Sequence, residues 1–406
     1  MKRFSPLFYS LAALNFLFFL GNSLFILLPV FLKNLGASES TIGIMNNADK
    51  VFAIIGAVSI GSLMRGRDRV RLLRLGYLIL TAAYASYLLI ASFSWWILVI
   101  RMVHGIGFSL AMILGTTMVF ETVRMEDAAE AIGIYGVTGA LSNAISPFIG
   151  EMLLSRGCPY SLIFAISAGL VFLSLVITFF LPWNPANIET ADSPPPDAGS
   201  AVTIIRNPRY RLLAILTLVF GGGFGVIITY LPNFIRTTTS HPFSIFFLVY
   251  IGVLIVIRFT LMRMVNRINR NMLIASGFVA GGLTNLLLNY ISPLFMIIVV
   301  SILYGMTHGI LYPVLNATMV GVVEPHDRGG ANALFTAVFN GGMMLFALSL
   351  GFLIDYTGTY LAAFNLCAVL FILAIIPLAI LTVRYGSLDV RAAADLAADP
   401  GPDQNL

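Results

Sequence analysis

From Phe4 to Leu32 the chain runs without a single Asp, Glu, Lys, Arg or His, and the same pattern, a long apolar stretch closed by a few charges, recurs to its end. About 20 apolar residues suffice to cross the hydrocarbon core of a bilayer as a helix. Only helices and closed barrels satisfy their backbone groups there, and runs of this length are helical. Dividing the chain at charges, prolines and turn residues predicts twelve spans, near 7–32, 41–63, 72–92, 95–122, 131–154, 160–181, 210–235, 243–262, 271–290, 294–322, 330–354 and 360–383. Composition agrees: 10% of residues are charged, against about 25% in soluble domains, and 59% are apolar. The expected fold class is an all-α integral membrane protein of twelve transmembrane helices. The first run follows Lys2 and Arg3 as in a signal peptide, but it is too long for an h-region and no A-x-A-like site follows, so it reads as an uncleaved span.

The cations settle orientation and exclude another partner class. With twelve spans, seventeen of the 23 Lys and Arg fall on the face that carries both termini, five of them in "GSLMRGRDRVRLLRLG" at 61–76. The opposite face receives Lys33, Arg156 and Arg236. The positive-inside rule then puts both termini in the cytoplasm of a multi-pass protein of the cell (inner) membrane. These cations sit in short links, not on a basic face interleaved with aromatics, so no nucleic-acid partner is expected despite the net charge of +5. Cys158 and Cys367 are far apart and have no metal-ligand spacing, so neither a metal site nor a cofactor is expected.

A Pro-rich stretch, 182–208, divides the chain into an N-terminal six-helix bundle over 1–181 and a C-terminal one over 209–385, with a cytoplasmic tail at 386–406. The halves repeat. "LPVFLK" at Leu28 matches "LPNFIR" at Leu231, "SLMRGRDR" at Ser62 matches "TLMRMVNR" at Thr260, and "MVHGI" at Met102 matches "MTHGI" at Met306. "PFIGEMLLSRG" at Pro147 aligns loosely with "LSLGFLIDYTG" at Leu348. These matches occur in order at offsets of 203, 198, 204 and 201. Apolar low-complexity text repeats Leu and Phe, not Pro, Arg and His at fixed places.

Two parallel six-span halves joined by a long linker resemble the major facilitator superfamily, whose transporters are built this way. The family's loop signature between spans two and three is matched by Gly61, Leu63 and the arginine cluster, with Arg65 where an acid is usual and Asp68 where glycine is frequent. Its fourth-span signature stands intact as Arg101, Gly105 and Gly107, and its fifth-span pattern in part as Gly139, Pro147 and Gly150. The resemblance implies a secondary transporter with two pseudo-symmetric bundles and a substrate path between them. It implies a gating role for the loop residues Gly61, Arg65, Asp68 and Arg69, and helix packing at the glycines and Pro147. Efflux-type members are the most similar.

A charge at a helix centre costs about 2.5 to 3.5 kcal/mol, so ions within spans usually face a cavity or a partner. Asp49, Lys50 and Arg101 are such ions, and Asn46 shares a helix face with the first two. Family packing would bring span two beside span four. Asp49 is then either a protonatable acid modulated by Arg101, coupling proton entry to solute exit, or half of a fixed ion pair. His104 and its repeat counterpart His308 either relay protons or bond a neighbouring helix. Polar stripes are read as lining a wet cavity rather than as interhelical glue: Tyr304, His308, Tyr312 and Asn316 in span ten, Asn332, Thr336 and Asn340 in span eleven, and Asn15 and Asn22 in span one. Arg258 reads as snorkelling to the interface, and Glu121, Glu151 and Asp355 as solvated span ends.

No P-loop, metal-ligand motif or nucleophile elbow is present, so an enzyme or an ATP-driven pump is not expected. The sequence reading is a monomeric proton-coupled exporter of a small organic solute, by exchange. A facilitator or importer of a sugar, organic acid or peptide-like solute is the alternative, and a non-transporting sensor or scaffold the remote one.

Overall fold

A computed structural model describes residues 4–52, 54–56, 68–123, 127–182, 204–264, 268–324 and 327–386. Of the residues singled out above, Gly61 and Arg65 lie outside that set, as do most of the Pro-rich linker and the tail. Regular structure among the described residues is helical: α1 (Pro6–Ser23), α2 (Leu28–Asn34), α3 (Glu39–Asn47), α4 (Arg69–Ser86), α5 (Trp96–Thr122), α6 (Ala128–Ser155), α7 (Tyr160–Thr178), α8 (Pro208–Thr238), α9 (Ser244–Met264), α10 (Arg270–Leu287), α11 (Leu294–Gly321), α12 (Arg328–Thr357), α13 (Tyr360–Leu373) and α14 (Ile375–Tyr385). A 3₁₀ turn at Leu24–Leu27 joins α1 to α2 into one crossing, and α13 runs on through Ala374 into α14. Ten of the resulting crossings are long and apolar enough to span a bilayer. The other two are α9, whose apolar part is Ser244–Thr260, and α3, whose helical backbone resumes after a turn at Ala48.

Side chains at the helix ends explain where the helices start. Ser5, Ser38, Asp68, Asn207, Asn269 and Thr359 each accept from a backbone N–H in the first turn, satisfying donors that have no intrahelical partner. Pro6 and Pro208 occupy first-turn positions, where the missing N–H costs nothing. Gly358 stops α12 with φ +70°, a left-handed conformation that a side chain would strain.

The packing shows the duplication as plainly as the sequence does. In the first half α1 packs on α6, α4 on α5 and α7, and α3 on α5; in the second α8 packs on α12, α10 on α11 and α13, and α9 on α11. Each contact of one set is the repeat equivalent of a contact in the other. Between the halves α3 meets α12 and α6 meets α9, a pair of contacts that the same two-fold exchanges. Small residues allow the closest approaches. A Cβ on Gly43 would collide with the Ala347 carbonyl oxygen of α12, and one on Gly107 would stand 2.9 Å from that of Gly76 in α4.

Candidate functional site

The two halves enclose a cavity of about 800 Å³. It reaches Thr116 and Phe120 near the end of α5 and Gly329 and Asn332 at the start of α12, at the end of the bundle where α1 begins and α14 finishes. Its charged side belongs to the first half. Lys50 Nζ lies 2.6 Å from Asp49 Oδ2, and Arg101 Nη2 lies 2.9 Å from Asp49 Oδ1. The second contact is an ion pair by distance only, since Oδ1 has no hydrogen-bond donor.

The guanidinium spends its hydrogens elsewhere. Arg101 Nε donates to Met45 O at 3.2 Å, Nη2 to Asn46 O at 2.6 Å, and Nη1 points to His104 Nδ1 at 2.7 Å. Those two carbonyls belong to the last turn of α3, just before the break at Ala48. Arg101 therefore caps a helix end inside the membrane, where no water would otherwise satisfy it. Gly105 makes this geometry reachable, because a Cβ there would collide with Asp49 O.

Arginine has donors only, so His104 Nδ1 must accept and the imidazole is neutral with its proton on Nε2. That Nε2 lies 3.0 Å from Asn22 Oδ1 and 3.1 Å from the Tyr84 hydroxyl, which itself donates to Asn22. Asn22, Tyr84 and His104 thus hold the guanidinium from behind. In the second half His308 lines the cavity and bonds the Tyr250 hydroxyl of α9 through Nδ1. Rings of Phe224 and Tyr312 stand beside it, and Asn332, Thr336 and Asn340 of α12 complete that wall.

Three residues expected in the cavity lie elsewhere. Tyr304 is buried behind Tyr250, with ring centroids 4.8 Å apart, and Asn316 is absent from the lining. Steps of four along a helix of 3.6 residues per turn drift by about 40° each, so a stripe of four such residues turns through about 120°. Only its middle members, His308 and Tyr312, face the space. Asn15 donates to Tyr135 O and Thr138 Oγ1 of α6, and is an interhelical tie. Ser142 and Ser146 of α6 bond Phe16 O and Leu20 O alongside it, so α6 covers that part of α1. Asn46 does line the cavity, and with Asn47 it donates across to Thr229 of α8.

The described members of the loop signature act within the first half. Asp68 caps α4 through Val70 N and sits 3.5 Å from Arg71 Nε, while Arg69 pairs with Glu121 of α5 at 2.7 Å. Of the packing residues, Gly107 admits Leu80, Gly139 admits Phe19, Gly150 admits Leu27, and Pro147 lies within α6 on the cavity wall.

At the opposite end of the bundle two carboxylates that read from sequence as solvated span ends also bridge the halves, Glu151 half-buried and Asp355 still exposed. The Asp355 carboxylate of α12 accepts from Glu39 N at 2.8 Å and Ser40 N at 3.0 Å, capping α3 of the other half. The Glu151 carboxylate of α6 accepts from Phe243 N at 3.1 Å and Ser244 N at 2.8 Å, capping α9. Glu151 and Asp355 are 204 residues apart, as are Ser40 and Ser244. The loose alignment at 201 sets Glu151 against Phe352 and hides the correspondence; the offset of the two histidines, also 204, reveals it. Around the Asp355 latch, Glu39 pairs with Lys33 and accepts from the Tyr360 hydroxyl, and the Tyr230 hydroxyl reaches Ala347 O and Glu39 O.

Comparison with known proteins decides what this architecture is. The sequence profile of the Major Facilitator Superfamily matches residues 11–270 and 233–398. The chain belongs to that superfamily. It is similar to the Staphylopine export protein of Staphylococcus aureus, with 22% identity over 374 residues, covering 86% of this chain and 90% of that one. A shorter match, 30% identical over 125 residues, covers 30% of this chain and 29% of the uncharacterized protein YqgE of Bacillus subtilis. Among solved structures, a point mutant of the nucleoside transporter NupG superposes with a TM-score of 0.82 at 14% identity, covering 92% of this chain and 99% of that one. A point mutant of the peptide transporter POT does so with a TM-score of 0.75 at 14% identity, covering 93% and 94%. This superfamily member is a multi-pass membrane transporter with the twelve-helix fold and not an enzyme.

Proposed function

We propose that this protein is a proton-linked secondary transporter that exports a small organic solute by alternating access, with Asp49 as its proton site. The observation that carries the reading is the Asp49 carboxylate. It is 5% exposed on the cavity wall, held by two cations, and keeps one oxygen without a hydrogen-bond donor. A buried carboxylate of this kind takes a proton when a neighbouring cation moves away and keeps its charge while both stay. Arg101 sets that balance, and His104, already accepting from Arg101, acts as its support and not as a proton carrier. His308 has no such cation on Nδ1 and faces the cavity as a second titratable group.

The Asp355 and Glu151 latches hold the form seen here. With both termini in the cytoplasm of the inner membrane, as the placement of Lys and Arg supports, the cavity opens inward and release of the latches is the step that opens it outward. The outward direction is supported by the likeness to an export protein over most of both chains. The working unit is one chain, since the cavity is built wholly from its two halves.

The test is flux. Proteoliposomes loaded with a pH-sensitive dye are challenged with gradients of organic solutes drawn from a metabolite panel. The wild type moves protons with its solute, and Asp49→Asn moves none. Solute flux that is indifferent to a pH gradient in the wild type would sink the assignment of Asp49.

A further inference from the structure

The charges on the cavity wall do not balance. Among its described lining residues the only ions are Asp49, Lys50 and Arg101, one anion against two cations. His104 adds nothing, because its Nδ1 accepts from Arg101, and His308, bonded to the neutral Tyr250 hydroxyl, adds no charge in its unprotonated form. Arg101 is fully engaged, 4% exposed, and bonded to two carbonyls and an imidazole. Lys50 is not. Its side chain is 20% exposed on the cavity wall, and among the described residues its ammonium has one bonded partner, Asp49 Oδ2, for three N–H groups. From the second half the same cavity is lined by Phe224, Tyr250, Tyr312, Asn332 and Asn340.

We infer that the solute is an organic monoanion, a carboxylic acid with a ring or other apolar body, whose carboxylate is bound by Lys50. A single excess positive charge in a low-dielectric space is matched by one negative charge, which a carboxylate supplies and a doubly charged phosphate ester exceeds. The aromatic wall takes the body and the amides take its hydroxyl or carbonyl groups. This inference rests on reading the cavity as the solute site. It also sets the sign of coupling. An acid on Lys50 draws the ammonium from Asp49 and adds a negative charge beside it, and both changes favour a proton on Asp49. The other titratable groups that face Asp49 are Arg101 and His104 of α5 and the hydroxyls of Tyr84 and Tyr87 from the α4 crossing; of these Arg101 carries the charge that favours the ionised carboxylate, and the solute leaves it in place, so the shift comes from the change at Lys50 and the added anion. Proton and acid then travel together, which replaces the exchange expected from the sequence with co-transport, and export in that mode is driven by the outward gradient of the acid itself.

Binding to the purified full chain in detergent tests the class without requiring transport. The probes are 2-naphthoate, its neutral amide, the 2-naphthylmethylammonium cation and 2-naphthyl phosphate. The expected result is at least about tenfold tighter binding of the carboxylate than of any other probe; that preference is lost in Lys50→Gln and kept in Lys50→Arg. Melting without ligand shows that both variants are folded, and the wild-type ranking stands if one is not. Equal binding of acid and amide, a preference for the cation or the phosphate, no saturable binding of the acid, or a preference that survives Lys50→Gln each overturns the assignment. In proteoliposomes inward acid movement is expected to acidify the lumen, and alkalinisation overturns the coupling sign. Selective binding without any flux would refute the transport reading and leave the anion site intact.

Discussion

The two halves share their helix pairings and their latches but not their chemistry. At an offset of 204 residues, Asn46, Asp49 and Arg101 of the first half correspond to Tyr250, Val253 and Gly305 of the second. Arg101 bonds the Asn46 carbonyl, and at the equivalent place a Cβ on Gly305 would stand 2.9 Å from the Tyr250 carbonyl and 2.8 Å from Val253 Cβ. In one half a guanidinium bonds the carbonyls of the facing helix, with the close approach one turn on at Gly105; in the other a glycine stands at the arginine's own place and the helices touch there. His104 and His308 occupy the same position, yet one accepts from Arg101 and the other meets a tyrosine. The contacts of Glu151 and Asp355 form a symmetric pair across the halves, whereas the ions among the described residues of the cavity wall all belong to the first half.

The largest effect that would sharpen this contrast comes from Arg101→Ala. It leaves the Asp49 carboxylate to Lys50 alone and takes the donors from the Met45 and Asn46 carbonyls, and about 2 to 6 kcal/mol of stability is expected to go with them, about 1 to 3 for each carbonyl. Gly305→Ala, at the equivalent place, overpacks α9 against α11 by about 1 to 3 kcal/mol. Thermal melting of the two purified variants checks the order, and a larger loss at Gly305 would break the comparison. Next comes Gly43→Val, whose Cβ would meet the Ala347 carbonyl and the Tyr230 hydroxyl. It is expected to disfavour the latched end by about 1 to 3 kcal/mol. Spin labels near Lys33 and Thr357 should then show a longer distance population that the wild type lacks.

His104→Leu takes the acceptor from Arg101 and is expected to cost about 1 to 3 kcal/mol, the range for a buried donor left unsatisfied. His308→Leu breaks one bond to Tyr250 and should cost less, about 0.5 to 1.5 kcal/mol. Equal melting shifts would mean that the histidines do the same work after all. The smallest effects are those of Glu151→Gln and Asp355→Asn, each removing a charge from a helix N-terminus worth about 0.3 to 1 kcal/mol, up to about 2 where partly buried. Each should widen the latched end by a similar amount in the same spin-label experiment, and their effects should add, because the latches share no partner. A response to only one would show that the two-fold is geometric and not mechanical.

How far the site is legible varies with the reach of the signal. Arg101, Gly105 and Gly107 can be found from one helix, because the family signature and the cost of a buried ion both act within a single span. The cavity face of α11 is misjudged at Tyr304 and Asn316, since a straight stripe is read from a helix that drifts about 40° with every fourth residue. Asn15 is misplaced because its partners, Tyr135 and Thr138, are more than 100 residues away. The caps made by Glu151 and Asp355 are missed because nothing local distinguishes a carboxylate at a span end from one that also bonds the first turn of a helix in the other half.

By itself the sequence determined that this chain spans a membrane many times, that its unit is duplicated and that Asp49, Lys50 and Arg101 are ions within spans of the first half. Lipid forbids unpaired backbone and stray charge, and both rules act along the chain. Only the tertiary structure decided which polar groups meet. The break in α3 that receives Arg101, the neutral His104 behind it, the excess charge at Lys50 and the two latches all depend on side chains from separate helices. Their distances follow from how the helices pack, and no local pattern encodes them.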